Sequence, residues 1–302
     1  MAVRTPRRSV ENALEASLVA PRSRTVREGA FGALLLAVTL VGVFVLGVLL
    51  VDVLSDGAPR VSLGFLTDYF SRRAERTGVL AGITGTLSLM LLVALFAFPI
   101  GVGAAIYLEE FAPNNRFTRL IEANINNLAG VPSIVYGLLG LGIFYYVLGL
   151  GASLLTGALT LMLLVLPVII VAGRESLRAI PRGIRDGGLA LGATRWQVTW
   201  RELLPAAMPG ILTGTILALS RAIGETAPLI AVGAVTRAAA NAPWSPLEAF
   251  TALPIEIYGF IQRPQADFRV TAAAAGIIVL MVLLVLMNSV AIVLRNRFQR
   301  RF

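Results

Sequence analysis

Six apolar runs, each long enough to cross a lipid bilayer, constrain the fold of this 302-residue chain more than any other feature. About 20 apolar residues in a helix cross the roughly 30 Å hydrocarbon core of a membrane. The chain is 57% hydrophobic and 14% charged, a composition typical of membrane proteins. The sequence therefore predicts an all-α membrane protein with six transmembrane helices, at residues 30–54, 78–108, 123–148, 152–173, 210–235 and 270–294.

Polar segments precede and interrupt these runs. Residues 1–29 are Arg-rich and show no sustained apolar periodicity, so we expect a cytoplasmic segment that is flexible or lies on the membrane surface. Residues 30–302 are expected to form one six-span domain. Within that domain, residues 174–209 form a polar connection of 36 residues, which is too long for a simple turn between two spans.

The arginines are divided unequally between the two sides of the predicted domain. Six spans place both termini on one side, and 18 of the 26 basic residues, all of them arginine, lie on that side. Seven lie on the other side, and Arg221 lies within the fifth run. Because positively charged loops stay inside, we expect both termini and the 174–209 connection to be cytoplasmic. The net charge of +9 then reflects membrane topology rather than binding to nucleic acid.

Three residue types that carry much of enzyme chemistry are missing from the sequence, namely Lys, His and Cys. Without Lys there is no GxxxxGKS/T loop, which excludes a standard P-loop ATPase. Without Cys and His there is no thiol nucleophile, disulfide, zinc cluster or imidazole base. We therefore predict a non-catalytic membrane subunit with no metal site and no cofactor of its own. An energy-coupled activity would need another subunit or an ion gradient.

The 174–209 connection contains a stretch with helical character. Asp186–Trp200 has no proline and lies between Pro181 and Pro205, so we predict a short amphipathic helix there. Such a helix could form a docking surface for a soluble partner or lie in the lipid head-group region. The residue pattern is compatible with both interpretations. The apolar residues on one face of this helix are Leu189, Trp196 and Trp200.

The same connection resembles the EAA loop of ABC-importer permeases, whose pattern is Glu-Ala-Ala, three residues, Gly, nine residues, Ile, one residue and Leu-Pro. Gly192, Leu204 and Pro205 match this pattern in register. The departures are Asp186 for Glu, Gly187 and Gly188 for the two Ala, and Glu202 for Ile. By this resemblance, the residues that contact an ATPase subunit are Asp186, Gly187, Gly188, Leu191, Gly192, Ala193, Arg195 and Trp196.

Two further segments resemble phosphate-importer permeases of the PstA type. They read LAGVPSIVYG, at Leu128–Gly137, and RAIGETAPL, at Arg221–Leu229. The likeness extends from about Gly78 to Leu294, and it implies a type I importer permease with the MetI-like fold in a bacterial plasma (inner) membrane. The implied partners are a second homologous permease (PstC-like), two ATP-binding subunits (PstB-like) that bind ATP and Mg, and an extracytoplasmic phosphate-binding protein (PstS-like).

A charged pair, Arg221 and Glu225, interrupts the fifth apolar run. One charge at the bilayer centre costs roughly 2.5–3.5 kcal/mol on insertion scales. Residues four apart share a helix face, so the pair could serve helix packing alone. Alternatively, a guanidinium binds phosphate-type oxygens in a bidentate fork and keeps its charge when desolvated. The match to the RAxGE pattern of the resembled family favours Arg221 as the anion contact and Glu225 as its orienting partner.

The residues beside this pair are further candidates for the substrate path. Gly224, Thr226 and Pro228 weaken helix regularity and could free backbone groups toward a cavity. We therefore include Thr226, together with Ser220, among the candidate path residues.

Three more distant residues complete the predicted path. Arg174 ends the fourth run and is either an exit-side anion contact or a residue that snorkels to the interface. Asn127 and Ser133 either line the path or make interhelical hydrogen bonds.

The leading hypothesis is the permease subunit of an ATP-driven inorganic phosphate importer, which forms half of the translocation path and couples to separate ATPase subunits by alternating access. One alternative is a permease for another oxyanion, such as sulfate or molybdate. Others are an ion-coupled carrier that uses Glu225 as a proton site and a membrane scaffold in which the charged pair is purely structural.

Overall fold

The computed structural model describes residues 22–234 and 245–298, and the regular elements in these two ranges are helices. Helix α1 (Arg22–Gly57) carries the first apolar run. It begins within the segment expected to be flexible, and residues 1–21 of that segment lie outside the described part of the chain. Most large apolar side chains of α1 between Phe31 and Val51 are exposed, as expected for a helix that lipid surrounds.

The second apolar run forms one long helix after a short one. Helix α2 (Leu63–Thr67) is capped by Ser62, which accepts a hydrogen bond from the Phe65 backbone N–H at 3.2 Å. Helix α3 (Leu80–Ile106) holds the run, and a π-helical turn at Tyr107–Phe111 extends it. Such turns contain one extra residue and often lie at functional positions.

The third apolar run forms two helices rather than the continuous span that the sequence predicts. Helix α4 (Arg116–Leu128) and helix α5 (Ser133–Gly140), which a π-helical turn extends, are bent by 108° relative to one another. Pro132 interrupts the helix because proline lacks a backbone N–H and restricts the residue before it. The hydroxyl of Tyr136 donates to the Leu128 carbonyl at 2.8 Å and so connects the two sides of the bend.

The polar connection is shorter than predicted because the helices on both sides extend into it. Helix α6 (Leu154–Arg178) is followed by helix α7 (Arg182–Ala190). Helix α8 (Arg195–Val198) then continues through a π-helical turn into helix α9 (Leu204–Ile223). Residues 179–194, and not 174–209, therefore separate the two long helices.

The prediction of one amphipathic helix at Asp186–Trp200 is wrong. Residues 191–194 separate α7 from α8, and Gly192 adopts φ +84°, a left-handed conformation that side chains disfavour. Thr194 then starts α8 through a capping box with Gln197. Pro205 does not end the helix, although it supplies no backbone N–H. The π-helical turn directly before it changes the hydrogen-bond register, which lets the helix continue across the proline.

The fifth apolar run is also broken, after Ile223, and helix α10 (Ala227–Ala231) follows the break. Helix α11 (Leu253–Ile261) precedes helix α12 (Ala273–Phe298), which begins with a π-helical turn. In the described ranges, five helical segments are long and apolar enough to cross a membrane, or six if α4 and α5 count as one span.

The core lies where α6 packs against both α3 and α9. Small residues allow close approach, as where Gly214 of α9 faces Ala172 of α6. Helix α11 packs on the start of α3, where the Leu253 backbone N–H donates to Thr86 Oγ1 at 2.9 Å. The continuous helix Arg195–Ile223 has the polar connection at one end and the break in the fifth span at the other.

Candidate functional site

Arg221 lies in the last turn of α9, directly before the break in the fifth span. Its Nε donates to Glu225 Oε1 at 3.4 Å, and the two side chains are 51% and 16% exposed respectively. This contact uses Nε, and the two terminal nitrogens of the guanidinium have no hydrogen-bond partner among the described residues. The carboxylate thus contacts one edge of the guanidinium and leaves the edge with the two terminal nitrogens available, while its role as orienting partner stays a prediction.

The break follows from Gly224, Thr226 and Pro228, the three residues that are predicted to weaken helix regularity. The Gly224 N–H bonds back to the Arg221 carbonyl at 3.3 Å and closes the end of α9. The Thr226 hydroxyl donates to the Gly224 carbonyl at 3.4 Å, and Pro228 lies in the first turn of α10, where its missing N–H is tolerated. The predicted loss of helix regularity is confirmed. The charged pair lies at a helix end, which corrects its expected place in the middle of a continuous span.

The two segments that resemble the phosphate permeases pack against each other. A Cβ added to Gly137 of α5 would lie 2.7 Å from Pro228 Cα and 2.8 Å from Ala231 Cβ of α10. The neighbouring Tyr136 is buried, and Arg221 lies within electrostatic range of its phenol. The bent α4–α5 pair and the broken fifth span thus meet beside the exposed guanidinium.

The other predicted path residues lie in different surroundings. The Ser220 hydroxyl lies 2.5 Å from Asn288 Oδ1 of α12 and 2.7 Å from the Ile216 carbonyl oxygen, so its single proton is shared between two acceptors and it connects two helices. Asn127 is exposed near the end of α4, and Ser133 is half-buried at the start of α5. The roles of these residues in a substrate path stay predictions.

Arg174 is buried, in contrast to the snorkelling position that was one of the two expectations. Its side chain is 8% exposed, and its Nη2 contacts Glu122 Oε1 at 2.8 Å and Glu109 Oε2 at 3.5 Å. Two carboxylates therefore neutralise a guanidinium that has little access to solvent. Its role as an exit-side anion contact stays a prediction, and the geometry favours a positioning role.

The π-helical turn Tyr107–Phe111, hereafter the carboxylate turn, supplies two adjacent carboxylates. Glu109 accepts hydrogen bonds from Arg178 at 3.0 Å and 3.2 Å. Glu110 accepts from Arg185 Nε at 3.0 Å, and Arg185 Nη2 contacts its other oxygen. The ion-pair cluster at this end of the molecule consists of Glu109, Glu110, Glu122, Arg174, Arg178 and Arg185.

The acidic residues of the ion-pair cluster were not predicted as functional residues from the sequence. Glu109 and Glu110 follow an apolar run directly, and the connection at residues 174–209 contains six arginines. The opposite charges of these two segments indicated that they could form ion pairs. The spacing along the chain could not show which glutamate contacts which arginine.

The residues of the EAA-like segment lie mostly on the surface. Asp186, Gly187 and Gly192 are exposed, and Leu191 is 91% exposed, which is unusual for a leucine. Gly188 and Ala193 are partly covered, and a Cβ on Gly188 would lie 2.8 Å from Val198 Cγ2. One side of α7 thus packs on α8, and Leu191, directly after α7, has an exposed apolar side chain.

Aromatic residues cover the neighbouring surface. Arg195 and Trp196 are exposed at the start of α8. The rings of Trp196 and Trp200 stack at 5.4 Å with an interplanar angle of 13°, and Phe111 lies 6.2 Å from Trp196. This arrangement confirms that the two tryptophans share one face, although the helix that carries them has different bounds.

One buried carboxylate lies apart from both regions. Glu256 of α11 is buried against Gly82 of α3, and its Oε2 has no hydrogen-bond partner among the described residues. Burial disfavours the charged form and raises the pKa of Glu256 to about 8. Burial of Glu256 therefore favours its protonated form near neutral pH.

Comparisons with known proteins agree with this arrangement. Residues 97–301 match the family described as "Binding-protein-dependent transport system inner membrane component". The probable ABC transporter permease protein YqgI of Bacillus subtilis is 33% identical, over 75% of this chain and 76% of that protein. The phosphate transport system permease protein PstA 1 of Mycobacterium tuberculosis is 36% identical, over 67% of this chain and 66% of that protein.

Solved structures share the fold. An inward facing conformation of the MetNI methionine ABC transporter has a TM-score of 0.59 and 21% identity, over 74% of this chain and 96% of that chain. The bacterial alginate ABC transporter, in complex with an alginate pentasaccharide-bound periplasmic protein, has a TM-score of 0.66 and 16% identity, over 89% and 94%. The predicted MetI-like permease fold is confirmed.

Proposed function

Because the chain belongs to the family of binding-protein-dependent transport system inner membrane components, we propose that it is the permease subunit of an ATP-driven importer of inorganic phosphate. The observation that carries this proposal is the half-exposed guanidinium of Arg221, which Glu225 holds at the break in the fifth span. The 36% sequence identity to a phosphate transport system permease protein supports phosphate as the substrate.

The geometry suits transient binding of an anion. A guanidinium keeps its charge in a poorly hydrated site and presents parallel N–H donors that match phosphate oxygens. Glu225 offsets part of that charge and disfavours a permanently bound anion, which a transporter must release. The non-helical residues 224–226 provide backbone groups beside the pair, as in other transport sites built on broken helices.

The proposed complex contains three further kinds of subunit. A PstC-like permease completes the path, two PstB-like subunits bind ATP and Mg, and a PstS-like protein delivers phosphate from outside. The exposed outer side of α7, with Asp186, docks on an ATPase subunit together with the exposed Leu191 that follows the helix. Both termini and α7 face the cytoplasm, in keeping with the arginine distribution.

Transport would proceed by alternating access. Closure of the ATPase subunits moves α7, and the membrane helices rotate so that Arg221 faces opposite sides of the membrane in turn. The bent α4–α5 pair packs against α10 beside this residue, so a movement of the bend changes access to the guanidinium.

Uptake into proteoliposomes that contain the complete complex tests this function. We expect uptake of phosphate that excess sulfate or molybdate does not inhibit. Arg221→Lys keeps the charge but loses the fork, and it should reduce phosphate uptake about 10-fold or more. The control is Arg269→Lys, at an exposed arginine of the α11–α12 region. Preferential uptake of sulfate or molybdate by the wild-type complex would overturn the proposal.

A further inference from the structure

We propose that the carboxylate turn links α7 to the membrane helices and carries the movement of α7 into them, with Glu110 as the positioning residue for α7. This inference rests on the proposed function, in which α7 receives an ATPase subunit. Glu110 precedes Arg185 by 75 residues in the chain, so the fold rather than the local sequence brings them together.

The two adjacent carboxylates of the turn contact different helices. Glu110 contacts Arg185 of α7, while Glu109 contacts Arg178 and Arg174 of α6. Neighbouring residues on a helix point about 100° apart, and a π-helical turn adds a residue that changes this direction. The end of α3 is therefore connected to α7 on one side and to α6 on the other.

The contact with α7 fixes both distance and direction. Both carboxylate oxygens of Glu110 contact the Arg185 guanidinium, and the two side chains are 7% and 29% exposed. A bidentate pair with little access to water holds its geometry more strictly than a solvated surface pair. When α7 moves, the end of α3 must follow or the pair must break.

The connection continues from Glu109 toward the anion site. Arg174 contacts both Glu109 and Glu122, and Glu122 lies on α4. Helix α4 leads through the bend into α5, where Gly137 packs on Pro228 of α10. A contiguous series of contacts thus runs from α7, through α3, α6 and the α4–α5 pair, to the broken span that carries the candidate anion contact.

A contiguous series of contacts couples two sites only if the contacts depend on one another energetically. Variants of Glu110 and Arg185 test this dependence. In proteoliposomes with the complete complex, Glu110→Gln and Arg185→Gln should each lower the phosphate transported per ATP hydrolysed, by about 2- to 30-fold. The reversed pair, Glu110→Arg with Arg185→Glu, should recover a ratio above that of either single variant. The matched control is Glu175→Gln, which removes an exposed partner of Arg178.

A distance measurement tests the linkage without relying on phosphate. The chain contains no cysteine, so cysteines introduced at Ile100 of α3 and Arg182 of α7 are its only labelling sites, and the chain is spin-labelled before it is assembled with the other subunits. In the wild-type background the distance between the labels should stay constant when the complex binds ATP, because the two helices move together. With Glu110→Gln the distance should change on ATP binding.

Two results would overturn the linkage. One is a transport-to-hydrolysis ratio in both single variants equal to that of Glu175→Gln. The other is a label distance that changes equally in the wild type and in Glu110→Gln. Failure of the wild-type complex to import phosphate would instead overturn the proposed function, and the label distances would still decide the linkage.

Discussion

The break in the fifth span and the ion-pair cluster both contain arginines paired with glutamates, but the two regions use them differently. At the break, Arg221 is half-exposed and makes one contact of 3.4 Å with Glu225. In the ion-pair cluster, Arg174 is buried and contacts two carboxylates, at 2.8 Å and 3.5 Å. The number of partners and the access to solvent thus distinguish Arg221, the proposed anion contact, from Arg174, which connects helices.

The difference predicts opposite effects of the same substitution on stability. Arg174→Gln removes the cationic partner of Glu122 and one of the two cationic partners of Glu109. Because these carboxylates have limited access to water, the free energy of unfolding should fall by about 3–5 kcal/mol. Arg221→Gln removes a half-exposed pair and should cost less than about 1 kcal/mol. Thermal unfolding of the purified protein in detergent measures both. Equal destabilisation by the two variants would contradict the comparison.

Glu256 extends the comparison to a buried carboxylate without an arginine. In the unfolded chain this group loses its proton above pH 4.5, whereas burial keeps the folded group protonated until about pH 8. Since the folded state binds the proton more tightly, stability should fall by about 2–3 kcal/mol between pH 5 and pH 7.

The pH dependence of thermal unfolding, measured for the wild type and for Glu256→Gln, checks this effect. The glutamine variant cannot ionise, so its stability should vary less over that range. Glu202→Gln, at an exposed glutamate, serves as the control and should keep the wild-type dependence. A wild-type profile that rises from pH 5 to pH 7 would have the wrong sign.

A smaller effect tests how α7 is held in position to present Arg185 to the ion-pair cluster. An added methyl group on Gly188 would meet Val198 at 2.8 Å, while one on Gly187 meets nothing within 4 Å. Gly188→Ala should therefore destabilise by about 1–3 kcal/mol, and Gly187→Ala should not. Thermal unfolding of the two variants, side by side, separates close packing from a general intolerance of alanine. A larger loss from Gly187→Ala would show that α7 packs differently.

The lengths of the apolar runs predicted the membrane spans well, because a run of about 20 apolar residues is typical of a transmembrane helix. It did not predict where a span breaks. Pro132 and the residues 224–226 interrupt apolar runs that are still long enough to be predicted as continuous spans. Pro205, by contrast, was interpreted as a helix end, although a π-helical turn lets the helix continue across it.

The candidate site was only partly predictable for a related reason. Arg221 and Glu225 are four residues apart, so their pairing could be deduced from helix geometry alone. The contacts of Arg174 and Arg185 span 65 and 75 residues, and no local pattern relates such partners. A charged residue within an apolar run can be recognised in the sequence. The partner that neutralises a charge over a long sequence separation can be identified only in the structure.

Transport and ATP hydrolysis by Arg221→Gln, measured together in the reconstituted complex, test the central claim most directly. If Arg221 binds the anion and does not hold helices together, the variant complex should assemble and hydrolyse ATP while phosphate uptake falls about 10- to 100-fold. Phosphate uptake at the wild-type rate by Arg221→Gln would contradict the account.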